Sequence, residues 1–251
     1  MPRAEFAFVQ ARLQARHGDA VRATNWQGIE SSRSVAQFLA AVRAGALAHW
    51  VEGFDESFDA HRIERTLRSR WAAYVEQVVR WQPAPWRPLT RWFGVLPELG
   101  LIDAWRQRGA FASLYPNPVP RAGRGASPLP AERRTARAAA EALLVAFAVP
   151  HEPTGERSTV AVWRAEWGRR APRARPDTAN LIRAAHLLLP ILGGDHIGRG
   201  AAAEPVRAAL VRLLRRFPAT PIAVFAHLGL VALDVERLRG GLLVRAMFAP
   251  E

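Results

Sequence analysis

Asp55, Glu56, Asp59, His61 and Glu64 crowd into one ten-residue stretch of the 251-residue sequence. His61 and Glu64, three apart, share one face of any helix drawn through them. A carboxylate and an imidazole so placed can hold a metal or relay a proton. Bundle metal sites, however, use a Glu-x-x-His pair on each of two facing helices, and here the order is reversed and occurs once. The structural reading is adopted instead: acids near a helix start complement its dipole, and Glu64 stands one turn before Arg68, ready to pair with it. Asp195-His196, after Gly193-Gly194, reads as a polar turn following a helix. His227 lies in the apolar run Pro221 to Leu233 and reads as a packed core histidine. His17 and His49 fall near predicted helix ends, where imidazoles serve the last carbonyls.

Other chemistries are excluded by composition. There is no Cys, so a thiol nucleophile, a thiolate-bound zinc, an iron-sulfur cluster and a disulfide framework are all ruled out. All 35 basic residues are Arg, and without Lys a standard P-loop cannot form. Arg121-Ala-Gly-Arg-Gly and Gly198-Arg-Gly also lack the GxGxxG pattern and its preceding strand. Neither G-x-S-x-G nor H-E-x-x-H occurs. No catalytic residue, cofactor site or metal site is therefore expected, and the chain reads as a non-enzyme.

Two groups of residues can bind without catalysing. Seven of the nine tryptophans lie in the first 105 residues. Trp81, Trp86 and Trp92 are interleaved with Arg80, Arg87 and Arg91, with Trp105 further on. Such indoles can stack unpaired bases, or form a core rim or protein interface with Arg stems laid over the rings. Packing or a protein interface is the reading adopted, with Trp81, Trp86, Arg87, Arg91, Trp92 and Trp105 as interface candidates. The second group is cationic. The net charge is +13, from 35 basic against 22 acidic residues, and residues 115–251 carry most of the excess. Arg169, Arg170, Arg173 and Arg175, with Arg212, Arg215 and Arg216 on a later helix, are the anion-binding candidates. A field of this sign speeds encounters with nucleic acid, acidic proteins or an anionic membrane surface. An Arg-only, Ala-rich chain is also what strong nucleotide bias in a genome produces.

These residues must be positioned by helices. Ile63, Leu67, Trp71, Tyr74, Val75, Val78 and Val79 recur at three- and four-residue spacing, which predicts a long amphipathic helix from near Ser57, stopped by Pro83 and Pro85. Shorter stripes run through Phe6, Val9 and Leu13, and through Val35, Phe38, Leu39 and Val42, the latter capped by Ser32 or Ser34. Helices are also expected at Thr178 to Leu189, from about Glu204 to Phe217 with Pro205 in the first turn, at Pro221 to Leu233, and from Asp234 to Phe248. Asp234 reads as the N-cap of the last, and Gly240-Gly241 as an interruption in it. The best strand candidate is Thr159 to Trp163. The fold class expected is all-α, a multi-helix orthogonal or irregular bundle. Residues 1–114 form a Trp-rich helical region, 115–130 a Pro/Gly-rich linker or long loop, and 131–251 an Arg-rich helical region. Pro150 to Gly155 is a further break, and Gly168 to Pro176 reads as an exposed basic loop.

From residue 5 to about 105 the order of features resembles the C (or d) subunit family of V-type and A-type rotary ATPases. The resemblance rests on Phe6-Ala-Phe8-Val-Gln-Ala11-Arg12, on the helix Val35 to Arg43, and on the Ile63-Glu64-x-x-Leu67 pattern. It implies a non-catalytic adaptor that seats on a membrane rotor ring and receives the soluble rotor shaft. The leading expectation is thus a helical adaptor or assembly subunit of a larger complex. The alternative is a nucleic-acid-binding protein using the Arg-rich half.

Expected partners are proteins of that complex, with nucleic acid as the alternative partner. The start, Met1-Pro2-Arg3-Ala4-Glu5, leads into an amphipathic stretch rather than an apolar core. Leu187 to Leu192 and Pro221 to Leu233 fall short of the roughly 18 to 20 residues needed to span a bilayer. The location expected is cytoplasmic, extending to a peripheral place at the inner membrane through a partner, with no transmembrane segment.

Overall fold

A computed structural model describes residues 3–18, 23–99, 159–172 and 199–247. The described residues form eight α-helices and short 3-10 turns, and no strand is found among them. The all-α expectation holds. The helices are α1 (Ala7–Gly18), α2 (Ala23–Glu30), α3 (Val35–Arg43), α4 (Ala60–Trp81), α5 (Arg87–Phe93), α6 (Thr159–Arg170), α7 (Arg199–Arg216) and α8 (Pro221–Met247).

Helix α8 is the axis of the packing. Every residue from Pro221 to Leu230 is buried, as a helix apolar on all sides must be. It packs against α1, α3, α4 and α7. Gln10 of α1 accepts the Ala219 backbone N–H at 2.9 Å. That contact fixes the α7–α8 turn where Ala219 has φ +55°, a left-handed conformation costing a non-glycine residue about 1–2 kcal/mol. Helix α4 buries the stripe from Ile63 to Val79 foreseen above, with Asp59 as its N-cap accepting from the Arg62 N–H. Ser34, not Ser32, caps α3.

After α4 the chain turns at Pro83. The buried Gln82 accepts from Thr90 Oγ1 at 3.0 Å, and its backbone carbonyl accepts from Arg87 Nε at 3.0 Å. The Trp71 indole N–H donates to the Gly94 carbonyl at 2.7 Å, tying α4 to the end of α5. The described residues of the two sequence halves share one core, in which Trp163, Leu210 and Phe225 lie with Trp86, Leu89 and Phe93. The 115–130 linker lies outside the described residues, as do the Thr178 to Leu189 helix and the break at Pro150 to Gly155.

Five expectations are corrected. Thr159 to Trp163 is the first turn of α6 and not a strand, because Thr159, Val162, Trp163 and Trp167 are the buried residues and their spacing is helical. Gly168, Arg169 and Arg170 complete that helix instead of opening a basic loop. Helix α7 starts at Arg199, so Pro205 sits inside it, on an exposed position where the lost donor does no harm to the core. Asp234 caps nothing: α8 runs unbroken through it, and its carboxylate is held by Arg207. Gly240-Gly241 does not interrupt the helix either. Gly241 lets the Phe38 ring come so close that an added Cβ would stand 2.5 Å from Cζ.

Candidate functional site

A half-buried ion-pair network joins α4, the 3-10 turn Leu96–Glu98 and α8. Glu64 pairs with two guanidinium groups, Arg239 from α8 and Arg68 at 3.3 Å one turn along its own helix. Arg68 also reaches Glu98 at 3.5 Å, and Arg239 holds Glu236 at 2.8 Å. Three carboxylates thus share two guanidinium groups. Burial pushes the Glu98 carboxyl above the usual range, Arg68 opposes this, and Glu64 and Glu236 add to it by repulsion. The expected Glu64–Arg68 pair is present, while His61 stands exposed on the outer side of α4. The two therefore face different surroundings, and Glu64 works as a strut between α4 and α8.

A second polar contact crosses the same helix pair. Tyr74 Oη and His227 Nε2 are hydrogen-bonded at 2.6 Å, and both residues are buried. Burial pushes the Tyr74 hydroxyl up to about 12, partly offset by Arg16, whose guanidinium lies 5.9 Å from the ring centre. A phenol held protonated in this way is a fixed hydrogen-bonding post. The core-histidine reading of His227 is correct. His49 packs by Trp50 and its Nδ1 lies 3.1 Å from the Ala46 carbonyl. Burial lowers its pKa, with Arg16 and Arg70 contributing. It lines a shallow open groove with Arg43, Ala48, Glu52 and Gly53, but Arg43 is engaged by the Phe54 carbonyl and Arg70 by those of His49 and Glu52.

Two of the tryptophan candidates, Trp86 and Trp92, serve the interior. Trp86 is 0% exposed and Trp92 is 3% exposed, so neither ring offers a face to a base or a partner, and Trp81 is half-buried. Trp92 donates its indole N–H to the Trp163 carbonyl at 2.9 Å, and Trp163 returns the bond to the Trp92 carbonyl at 3.1 Å. This reciprocal pair clamps α6 onto α5. Sequence reading missed it because the two residues are 71 apart; only the shared residue type hinted at it. Trp163 also stacks on Trp167 at 5.5 Å, and the Arg170 guanidinium covers Trp92 at 4.6 Å. Arg87 is bound to the Gln82 carbonyl and Arg91 to Glu76 at 2.7 Å on the surface. Trp105 lies outside the described residues.

The anion-binding candidates divide. Arg169 and Arg170 both pair with Glu166 at 2.6 Å, which compensates one of their two charges within α6. Arg173 and Arg175 lie outside the described residues, as do Asp195 and His196. Arg212, Arg215 and Arg216 are exposed at the end of α7. No carboxylate pairs with them among the described residues, and Arg216 alone has a contact, with the neighbouring Phe217 ring at 5.6 Å. On the same helix Arg207 turns inward to Asp234, whose carboxyl burial raises against the pull of that guanidinium. Among the described residues no cluster of His, Asp or Glu is arranged to hold a metal ion, and no helix is long and apolar enough to cross a membrane.

The chain matches no protein-family model, no curated protein and no solved structure.

Proposed function

We propose that the protein is a non-catalytic helical adaptor or assembly subunit of a larger complex, working in the manner of the C (or d) subunits of rotary ATPases at the cytoplasmic face of the inner membrane. One observation carries this reading. The acidic groups best placed for chemistry, the buried Asp234 and the half-buried Glu64, Glu98 and Glu236, are each engaged by an arginine, whereas the outer surface keeps guanidinium groups with no acid partner among the described residues and the Phe8 ring, 56% exposed. Such a surface suits docking better than proton transfer. Of the residues that carry the resemblance, Phe6, Ile63 and Leu67 lie in the core, and Phe8, with Arg12 over its ring at 5.2 Å, faces outward.

The test is recovery of the tagged chain from its native host after nuclease treatment, from cytosol and from gently solubilised membranes, at low and moderate salt. Stoichiometric membrane-complex subunits that survive moderate salt are expected. Recovery alone, or with nucleic acid that salt removes, refutes the proposal. The nucleic-acid alternative draws its support from Arg212, Arg215 and Arg216, which no acid among the described residues neutralises; it predicts a steep fall of affinity with salt.

A further inference from the structure

We infer that the arginine edge at the end of α7, formed by Arg212, Arg215 and Arg216, is the docking site for an acidic helical segment of a protein partner; this rests on the adaptor reading and names its partner chemistry. Elsewhere on the described surface Arg33, Arg65, Arg80 and Arg164 are also exposed without an acid partner among the described residues, but they are spread over α4, α6 and the turn before α3 and are not gathered on one edge; other arginines are satisfied from within. Arg237 holds Glu30 at 2.5 Å, and Arg245 caps the end of α2 through the Glu30 and Ser32 carbonyls at 2.8 and 2.6 Å. At the α7 edge three exposed cations are gathered within about 6 Å of helix rise and find no acid among the described residues. Like charges at three- and four-residue spacing repel by about 0.2–0.5 kcal/mol per pair. The helix C-terminus, where cations are favoured, makes that tolerable without removing it.

The spacing selects the occupant. Residues 212, 215 and 216 project from one side of α7, because its other side, with Leu210 and Leu214, is buried in the core. A helix carrying Glu at i, i+3 and i+4 presents carboxylates at the same intervals, each able to take a guanidinium fork. Nucleic acid fits less well, because the buried Trp86 and Trp92 supply no stacking platform beside the three arginines. A membrane surface fits least, since an interfacial helix needs an apolar face turned to the lipid, and that of α7 is already covered.

The experiment uses the full chain and three probes. These are an Ala-rich helical peptide of about 20 residues with Glu at i, i+3 and i+4, a single-stranded oligonucleotide, and vesicles of phosphatidylserine with phosphatidylcholine. The variants are Arg212→Glu/Arg215→Glu/Arg216→Glu and, as a milder change, Arg215→Gln/Arg216→Gln, with Arg65→Glu/Arg80→Glu on the exposed side of α4 as control. The peptide should bind the wild-type chain and its affinity should fall at least about tenfold in the triple variant, less in the Gln pair, and little in the control. A permuted peptide without the spacing should bind more weakly. Peptide affinity unchanged by the triple variant overturns the inference, as does tighter binding of oligonucleotide or vesicles through the same arginines. In the host, a complex that keeps its partner when the triple variant is used overturns the inference and leaves the adaptor reading standing. A wild-type chain recovered without any partner overturns the adaptor reading, and the peptide assay then decides the docking site by itself.

Discussion

Replacing Gly241 and Gly240 in turn by Ala separates helix propensity from packing at the point where α8 crosses α3. Alanine favours a helix interior over glycine by about 1 kcal/mol, and both positions lie inside α8. At Gly240 an added Cβ meets nothing within 4 Å, whereas at Gly241 it would stand 2.5 and 2.8 Å from Phe38 Cζ and Cε2. The ring cannot yield easily: Phe38 is 0% exposed, and the Arg245 guanidinium lies over it at 4.4 Å. Overpacking of this kind costs about 1–3 kcal/mol. Gly240→Ala should therefore stabilise by up to about 1 kcal/mol, and Gly241→Ala should fall about 1–3 kcal/mol below it because the propensity gain is common to both. In thermal unfolding followed by circular dichroism the two midpoints should differ by roughly 2–12 °C, in the same order as their urea midpoints. Adding Phe38→Leu to Gly241→Ala should cost less than the sum of the two single changes, since the smaller side chain makes room for the methyl. Equal stabilisation by both alanines would refute the placement of α8 against α3.

Arg207→Ala should destabilise by about 3–5 kcal/mol, because it leaves the Asp234 carboxylate buried without its partner; the joint replacement Arg207→Met/Asp234→Leu should recover most of that loss in urea unfolding. Burial raises the Glu98 pKa in the folded state, so its protonation favours folding. Wild-type stability should therefore decline as pH rises from the ordinary glutamate range through the raised value, and Glu98→Gln should flatten that part of the stability–pH curve, with no change in slope counting against the junction. Of the two tyrosines, Tyr74 should ionise only near about 12; an alkaline absorbance titration should lose its late phase in Tyr74→Phe, and a wild-type curve with both phenols titrating near 10 would contradict the buried contact with His227.

How much of this was legible depends on how locally each feature is encoded. The α4 stripe was readable because a helix against a core repeats its apolar residues every three to four positions. A serine cap on α3, narrowed to Ser32 or Ser34, and the Glu64–Arg68 pair were readable because each lies within one turn, and the structure chose Ser34. Asp234 and the two glycines misled because an N-cap and a helix break are local signals, whereas here Asp234 answers to the distant Arg207 and Gly241 to Phe38. Thr159 to Trp163 misled because five residues of mixed β-branched and apolar type cannot distinguish alternation from one helical turn.

The amino-acid sequence by itself determined that the chain is helical, that it lacks thiol and P-loop chemistry, and that its positive charge is arginine alone. Those are properties of composition and short-range periodicity. The tertiary structure alone decided which arginines remain available. Glu64, Asp234 and Glu236 reach guanidinium groups from other helices or from a neighbouring turn, Trp92 meets Trp163 across 71 positions, and Arg212, Arg215 and Arg216 are left facing outward. Ion pairs and indole contacts of that range depend on how the helices cross, which only the packing of their apolar faces around α8 sets.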